Sequence, residues 1–350
     1  MSSTPHPDEA RRGVGSARAV VVDSPGRHRI VSGPLPAPGP GEVRIAVFAA
    51  GICASDRELY DGARPLAYVR YPLTPGHEWS GTVDAVGEGV DPELTGRKTV
   101  AEGFRACLRC ERCREGATSL CLSGYEETGF TRPGGFADAL VLPARLLHPL
   151  ADSADLKAAA LLEPAAVAAA TVLAAGVRPG DRVAVVGTGA LGLLAVQLLA
   201  AFSPAELLAV EPRAQRGERA LRMGASRACA PEEAAKERGT FDVVLETAGA
   251  PSTANDACLL ARRGGRVVLA GAFEPGAHGI DPIHLAFSQL TVRSVFGAPS
   301  SAWSYAVRAF NGGLLDPGAL ITHELPLERF GDAIARVRED PDAGKVLLRP

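Results

Sequence analysis

The chain has 350 residues, 46% of them hydrophobic, with a mean hydropathy of +0.07, enough for two domains that each bury a core. A net charge of −3 and a pI near 6.2 leave no basic excess, which argues against a nucleic-acid surface and leaves neutral or acidic small molecules open. The start, MSSTPHPDEARRGVGSA, lacks the apolar core of a signal peptide, and no apolar run reaches the roughly 18 residues needed to cross a bilayer; with seven cysteines, this predicts a reducing, cytoplasmic setting with no membrane partner.

Residues 1–16 read as a mobile polar arm. Beyond them, short β-branched runs at Ala17 to Val22, Glu42 to Ala50 and Gly81 to Val86 predict strands, with the first two separated by the loop LPAPGPGE. The pattern is that of an all-β barrel, not of alternating strand and helix. Cys53, in GICASD, follows the second of these strands in a turn expected to begin at Gly51, with Ser55 and Asp56 close behind. His77 and Glu78 follow in GHE. A thiolate, an imidazole and carboxylates are ligand types that zinc accepts in a tetrahedral site. The leading candidate for a third ligand is Glu163 in LLEP, an acid inside an apolar, alanine-rich run that would be costly to bury unpaired. Taken singly, each has a plainer reading: Cys53 as a small core residue, His77 as a hydrogen-bonded core histidine, Glu163 as a helix N-terminal acid.

Cys107, Cys110, Cys113 and Cys121 fit C-x2-C-x2-C-x7-C. Tight turns at this spacing can aim four thiolates at one centre, a closed structural zinc site that folds a loop poor in hydrophobic residues. An iron–sulfur cluster and disulfides are the alternatives, against which stand the spacing and the reducing setting. Cys229 and Cys258 read as packing residues.

The second half changes character. RVAVVG, from Arg182 to Gly187, predicts a buried strand, and Ala190 to Ala201 a helix that follows it directly. Between them stand Gly187, Gly189, Leu191 and Gly192 in GTGALG. In a strand–turn–helix setting the first glycine allows the tight turn, the second lets a pyrophosphate approach the backbone, and the third permits close helix packing. The next strand, Leu207 to Val210, ends at Glu211, an acid placed to accept ribose hydroxyls and to repel a 2′-phosphate; this favours NAD. Arg213 and Arg216 keep NADP open, since a guanidinium can meet the extra phosphate. Further strands at Phe241 to Glu246, Arg266 to Ala270 and Thr291 to Phe296 predict a doubly wound parallel sheet. Helices are expected at Ala165 to Ala175, Ser301 to Asn311 and Leu327 to Arg338, and the final HELPL and KVLLRP segments as strands that return to the first domain. His28, His148, His278, His284 and His323 are expected in loops or at element ends without a ligand role.

In this order, GICASD, GHEWSG, the four-cysteine lobe, LLEP and GTGALG resemble the medium-chain zinc-dependent alcohol dehydrogenases, from about Ala17 to the C-terminus. Glu163-Pro164 is similar to the polyol, sorbitol and threonine dehydrogenase branch, where glutamate replaces cysteine at the third metal position. GHEWSGTV and TGFTRPGG also resemble cyclitol dehydrogenases of aminocyclitol antibiotic synthesis. The resemblance implies an α/β fold: a GroES-like β-barrel catalytic domain over 17–160 and 297–350, with the zinc lobe at about 104–124, and a Rossmann domain over 161–296. It implies a homodimer or homotetramer, two Zn2+ per chain, and Cys53, His77 and Glu163 on the catalytic one. Glu78 would be a carboxylate able to exchange there, Ser55 would take the substrate proton, and Asp56 would orient His77. Two positions depart from the pattern: Glu58 stands where a relay histidine is common, and Gly297-Ala298 where polyol dehydrogenases often carry an arginine.

The expected activity is hydride transfer from a secondary alcohol of a polyol, sugar or cyclitol to the nicotinamide, with the alcohol oxygen made more acidic at the cation. An NADPH-dependent carbonyl reductase and a non-catalytic zinc and dinucleotide-binding protein are the rivals. Loops near Leu59, Tyr125 and Phe296 are expected around the substrate.

Overall fold

The computed structural model of the protein describes residues 15–273, 276–340 and 343–350; the first fourteen residues of the expected arm lie outside the described residues. Ser16 already opens a strand, Ser16–Ser24, paired antiparallel with Arg27–Pro34.

The N-terminal half is organised on the strand Glu42–Ile52, in which Val43, Ile45 and Val47 point inward at every second position. It lies in a seven-stranded sheet ordered Ile321–Pro326, Lys345–Arg349, Glu42–Ile52, Glu78–Val86, Lys98–Ala101 and Leu147–Pro149, with Ala139–Pro143 also paired to it. The two C-terminal strands therefore do return to the first sheet, and Lys345–Arg349 runs antiparallel to the strand that delivers Cys53. The sheet's core centres on Ile45, Leu140, Leu142, Phe136 and Phe330.

The second sheet has six parallel strands in the order Arg227–Cys229, Glu206–Val210, Arg182–Val186, Phe241–Glu246, Ala261–Leu269 and Thr291–Ser294. In sequence order this is 3-2-1-4-5-6, the doubly wound arrangement whose switch point falls beside the first strand. Arg182–Val186 is buried from its second residue on, as an apolar run covered on both faces requires.

Helix Leu162–Ala175 joins the halves: its alanines are small enough to be buried on almost every side. One core runs from Ala49, Val100 and Leu347 of the first sheet through this helix to Val183, Val185 and Leu245 of the second.

Several expectations change. Gly51 does not begin a turn; the strand runs on to Ile52, and glycine is required because a Cβ at 51 would lie 2.4 Å from Glu78 Oε2. His323 lies within the strand Ile321–Pro326 and His284 within the helix Pro282–Ser288, while His28 and His148 stand one residue from the ends of their strands, as expected. The Leu327 to Arg338 stretch splits into a 3-10 turn, Leu327–Arg329, and helix Phe330–Glu339. Leu59 is wholly buried and packs in the core of the first sheet, so it lines no cleft.

Candidate metal and dinucleotide site

Cys53 caps the N-terminus of helix Ala54–Asp61, where the strand Glu42–Ile52 stops. The Asp56 carboxylate, one turn into that helix, accepts the Cys53 backbone N–H at 2.9 Å and thereby fixes the thiol's backbone. Its other oxygen lies 3.4 Å from His77 Nδ1. His77 and Glu78 arrive at the start of the neighbouring strand Glu78–Val86, paired to the Cys53 strand through Gly51 opposite Glu78. Strand pairing thus brings together residues that are remote in sequence. The ligand atoms of Cys53, His77 and Glu78 all lie within 4.8 Å of one another.

Glu163 enters from the first turn of helix Leu162–Ala175 and is not one of that close trio. It is nevertheless near enough to act on His77 and to feel Glu78, Lys345 and Asp56. Burial and the Glu78 carboxylate push Glu163 up to about 7, against the pull of His77 and Lys345. Burial opposes protonation of His77, but Asp56, Cys53 and Glu163 outweigh it and hold the imidazole well above its ordinary range. So many anionic groups around one buried imidazole form a pocket of negative potential.

The donor set fits a divalent cation on a second ground. Five buried side-chain polar atoms lack a hydrogen-bond partner among the described residues; two of them, Asp56 Oδ1 and His77 Nδ1, face each other at 3.4 Å, which leaves Glu78 Oε2 as the carboxylate oxygen of this site without a donor. A buried carboxylate oxygen left without a donor is costly, and a cation supplies the missing partner. Glu78 Oε1 is held by Lys345 Nζ, an ion pair buried at the head of the C-terminal strand. Lys345 was not anticipated from the sequence.

Cys107, Cys110, Cys113 and Cys121 likewise gather with all four sulfur atoms within 4.8 Å of one another, and all seven cysteines are free of disulfides. Backbone N–H groups of Cys107, Cys110 and Leu122 each donate to a sulfur of the set at 3.4 Å. Hydrogen bonds from Ser123 and from the Arg109 and Cys110 backbone pull Cys107 down to about 5, while burial pushes Cys113 up to about 12. The set fits a tetrahedral all-thiolate zinc site.

The glycine-rich turn divides its work as the spacing suggests. Gly187 has φ +92°, and a Cβ there would meet Ala248 at 2.6 Å. At Gly192 a Cβ would lie 2.0 Å from the Gly187 carbonyl, so helix Ala190–Ala200 packs where only glycine fits. Nothing lies within 4 Å of a Cβ at Gly189, which leaves open space over the backbone. Glu211, at the end of strand Glu206–Val210, accepts the Thr188 N–H at 3.0 Å and the Thr188 hydroxyl at 3.1 Å, and so ties the turn to the next strand. A cavity of about 600 Å³ opens here, lined by Gly187, Gly189, Glu211, Arg213 and Arg216 among others. Leu191 packs half-buried against the core beneath the turn. A second cavity, of about 270 Å³, is lined by Gly189 and Arg216 on one side and by Cys53 and Lys345 on the other. It joins the glycine-rich turn to Cys53. Ser55, half-buried, stands in the same first turn as Asp56.

Comparison with known proteins agrees with this geometry. Residues 39–152 match the alcohol dehydrogenase GroES-like domain, and residues 190–312 match the zinc-binding dehydrogenase family. The chain is 31% identical to 2-dehydro-3-deoxy-L-galactonate 5-dehydrogenase of Pseudoalteromonas atlantica, covering 91% of this chain and 94% of that protein. It is 29% identical to sorbitol dehydrogenase of Bacillus subtilis, covering 95% and 97%. Among solved structures, an alcohol dehydrogenase (rspB) from Escherichia coli CFT073 complexed with NADH superposes with a TM-score of 0.89 at 28% identity, covering 96% of this chain and 100% of that one.

Proposed function

Since the chain belongs to the zinc-dependent medium-chain alcohol dehydrogenases, in the polyol and threonine dehydrogenase branch, and is a nicotinamide-dependent alcohol oxidoreductase, we propose that it oxidises a secondary alcohol of a polyol, sugar or cyclitol with NAD. The observation that supports the reading best is the cavity lined by both Cys53 and Gly189, since one space then borders a candidate metal ligand and the dinucleotide turn. We assign residues 17–160 and 297–350 to the catalytic domain and 161–296 to the dinucleotide domain, because the two C-terminal strands complete the first sheet.

In this reading Cys53 and His77 would hold the catalytic zinc, with Glu78 or Glu163 as the carboxylate ligand. The four cysteines of the lobe hold a second zinc. Bound there, the catalytic cation would lower the pKa of an alcohol oxygen so that hydride can leave the carbon for the nicotinamide. Asp56 turns Nδ1 of His77 towards itself and so leaves Nε2 to ligate. Ser55 would accept the substrate proton while giving up its own to water or to Glu58, which lies three residues on in the same helix. Gly187, Gly189, Leu191 and Gly192 present the pyrophosphate site, and Glu211 receives the ribose hydroxyls, with Arg216 beside the phosphates. The free state of all seven thiols suits action in the cytoplasm, and the family's habit suits a homodimer or homotetramer.

Assays of a panel of polyols, cyclitols and simple secondary alcohols, read by nicotinamide absorbance with each cofactor, test this. Turnover of a polyhydroxylated alcohol with NAD is the expected result; reduction of ketones with NADPH alone would favour the reductase reading. Glu211→Ser is expected to shift the NADP-to-NAD ratio of kcat/KM upward by about tenfold or more, because it removes a carboxylate that would face the 2′-phosphate. The same change frees Thr188 and weakens binding of both cofactors, so the ratio is the decisive readout. An unmoved ratio would show that Glu211 does not face the ribose.

A further inference from the structure

The turn from Glu127 to Arg132 is laid directly on the loop that carries His77. Gly129 has φ +87°, and a Cβ there would lie 2.7 Å from the Gly76 carbonyl carbon and 2.8 Å from the His77 nitrogen. Phe130 packs its ring against the His77 imidazole with centroids 4.7 Å apart. On the Phe130 ring lies the Arg64 guanidinium, 3.7 Å from the centroid. Arg64 donates from Nη2 to the Tyr125 hydroxyl at 2.8 Å and from Nε to the Tyr68 carbonyl at 3.1 Å, and Nη2 lies 3.5 Å from Glu127 Oε2. Tyr125 in turn donates its own hydroxyl to Glu127 Oε2. The three side chains thus form one polar cluster, a single aromatic ring away from a metal-ligating histidine.

Nothing in the metal or cofactor chemistry above uses this cluster. Arg64 and Glu127 are 12% and 8% exposed at their side chains, and burial pushes Glu127 up to about 7. Yet Arg64 Nη1 and Glu127 Oε1 make no hydrogen bond to any described residue. The cluster therefore keeps one donor, on Arg64, and one acceptor, on Glu127, that no described residue uses, and a hydroxyl group both donates and accepts. The opposite charges leave the cluster close to neutral, which suits a neutral hydroxyl better than a carboxylate or phosphate. Around it stand rings that are open to solvent: Tyr68 at 40% and Phe296 at 64% exposure, linked through Tyr125 and Phe104 by ring contacts of 4.9, 5.8 and 5.9 Å. Apolar rings around a few convergent polar atoms are the usual make-up of a small-molecule site.

We infer that Arg64, Tyr125 and Glu127 are specificity-determining residues that bind a second hydroxyl of the substrate, so that the site selects neutral polyhydroxylated alcohols over alcohols with one hydroxyl. The inference rests on the alcohol-oxidation reading above and deepens it. Glu127 Oε1 accepts a hydrogen bond from the hydroxyl and Arg64 Nη1 donates one to its oxygen, while the reacting hydroxyl sits at the metal ligands.

The test compares matched alcohols that differ only in extra hydroxyls, butane-2,3-diol with butan-2-ol and myo-inositol with cyclohexanol, in the zinc-loaded, full-length enzyme with NAD. For the wild type, kcat/KM is expected to favour the polyhydroxylated member of at least one pair. In Glu127→Gln, that preference is expected to fall about 10- to 100-fold, the size of one lost hydrogen bond to a charged group, with most of the change in KM. Arg64→Lys, which keeps the charge but loses the planar fork, is a second variant that should lower the same ratio. A structural role would lower both members of a pair alike. Unchanged ratios in both variants, with a wild type that prefers the polyhydroxylated member, would overturn the assignment and leave the alcohol-oxidation reading standing. Failure of the wild type to oxidise any of the four would overturn both.

Discussion

Replacing Cys53 by serine is expected to reduce turnover by at least about a thousandfold while the far-ultraviolet circular dichroism and the thermal transition stay close to those of the wild type. The size follows from the several kcal/mol of charge stabilisation that a catalytic cation supplies in the transition state. Serine is nearly isosteric with cysteine but is a poor zinc ligand at neutral pH, because its hydroxyl does not ionise there. The fold should survive because Cys53 contributes little to the core. It is only half-buried, and the bond that fixes its backbone runs from its own N–H to Asp56, which the substitution leaves in place. Retained turnover would mean that the thiol is a packing residue. Metal analysis of the same preparation separates loss of the cation from loss of its activity, since the four-cysteine lobe does not share a ligand with this site.

Changing Lys345 to methionine is expected to lower stability by about 3–5 kcal/mol, read as a fall in the urea midpoint, because it strands a buried carboxylate. Lys345 is 6% exposed and Glu78 wholly buried. Burial by itself would lower the Lys345 pKa, but Glu78 and Cys53 outweigh it and hold the ammonium above its ordinary range. Lys345 therefore keeps its charge opposite the buried Glu78 side chain, and each partner depends on the other. A double variant with Glu78→Gln and Lys345→Met should recover part of the loss, since two neutral groups cost less to bury than one lone carboxylate. A change under about 1 kcal/mol in the single variant would show that the pair is solvated and contributes like a surface ion pair. The position matters for function as well, because Lys345 lines the cavity that joins Cys53 to the dinucleotide turn.

The parts of this site that were legible in the sequence are those encoded within one local segment. GTGALG declares its geometry within six residues: Gly187 and Gly192 stand where a Cβ would clash, and Gly189 faces open space. The cysteine lobe is equally local. Cys53 and His77 are joined by pairing of strands that both read as β in the sequence, so their meeting could be inferred from pattern. What escaped detection depends on register and on long-range packing. Glu78 and Lys345 are 267 residues apart, and no spacing rule connects them. A weak signal existed: a lysine that heads an apolar run, KVLLR, must find a partner if the strand is buried. Gly51 was read as a turn because glycine punctuates loops, whereas its real constraint is the Glu78 side chain across the sheet. Arg64, Tyr125 and Glu127 were unreadable as a cluster, since Arg64 comes from the loop beyond helix Ala54–Asp61 and meets the others only through the fold.

The central claim is that one divalent cation, held by Cys53, His77 and a carboxylate, lies beside the nicotinamide of bound NAD. Anomalous diffraction at the zinc edge from crystals grown with NAD tests it most directly. A peak within bonding distance of Cys53 Sγ and a His77 ring nitrogen, with the nicotinamide ring against it and a second peak among the four lobe cysteines, is the result expected. A single peak confined to the lobe, or a nicotinamide ring turned away from Cys53, would contradict it.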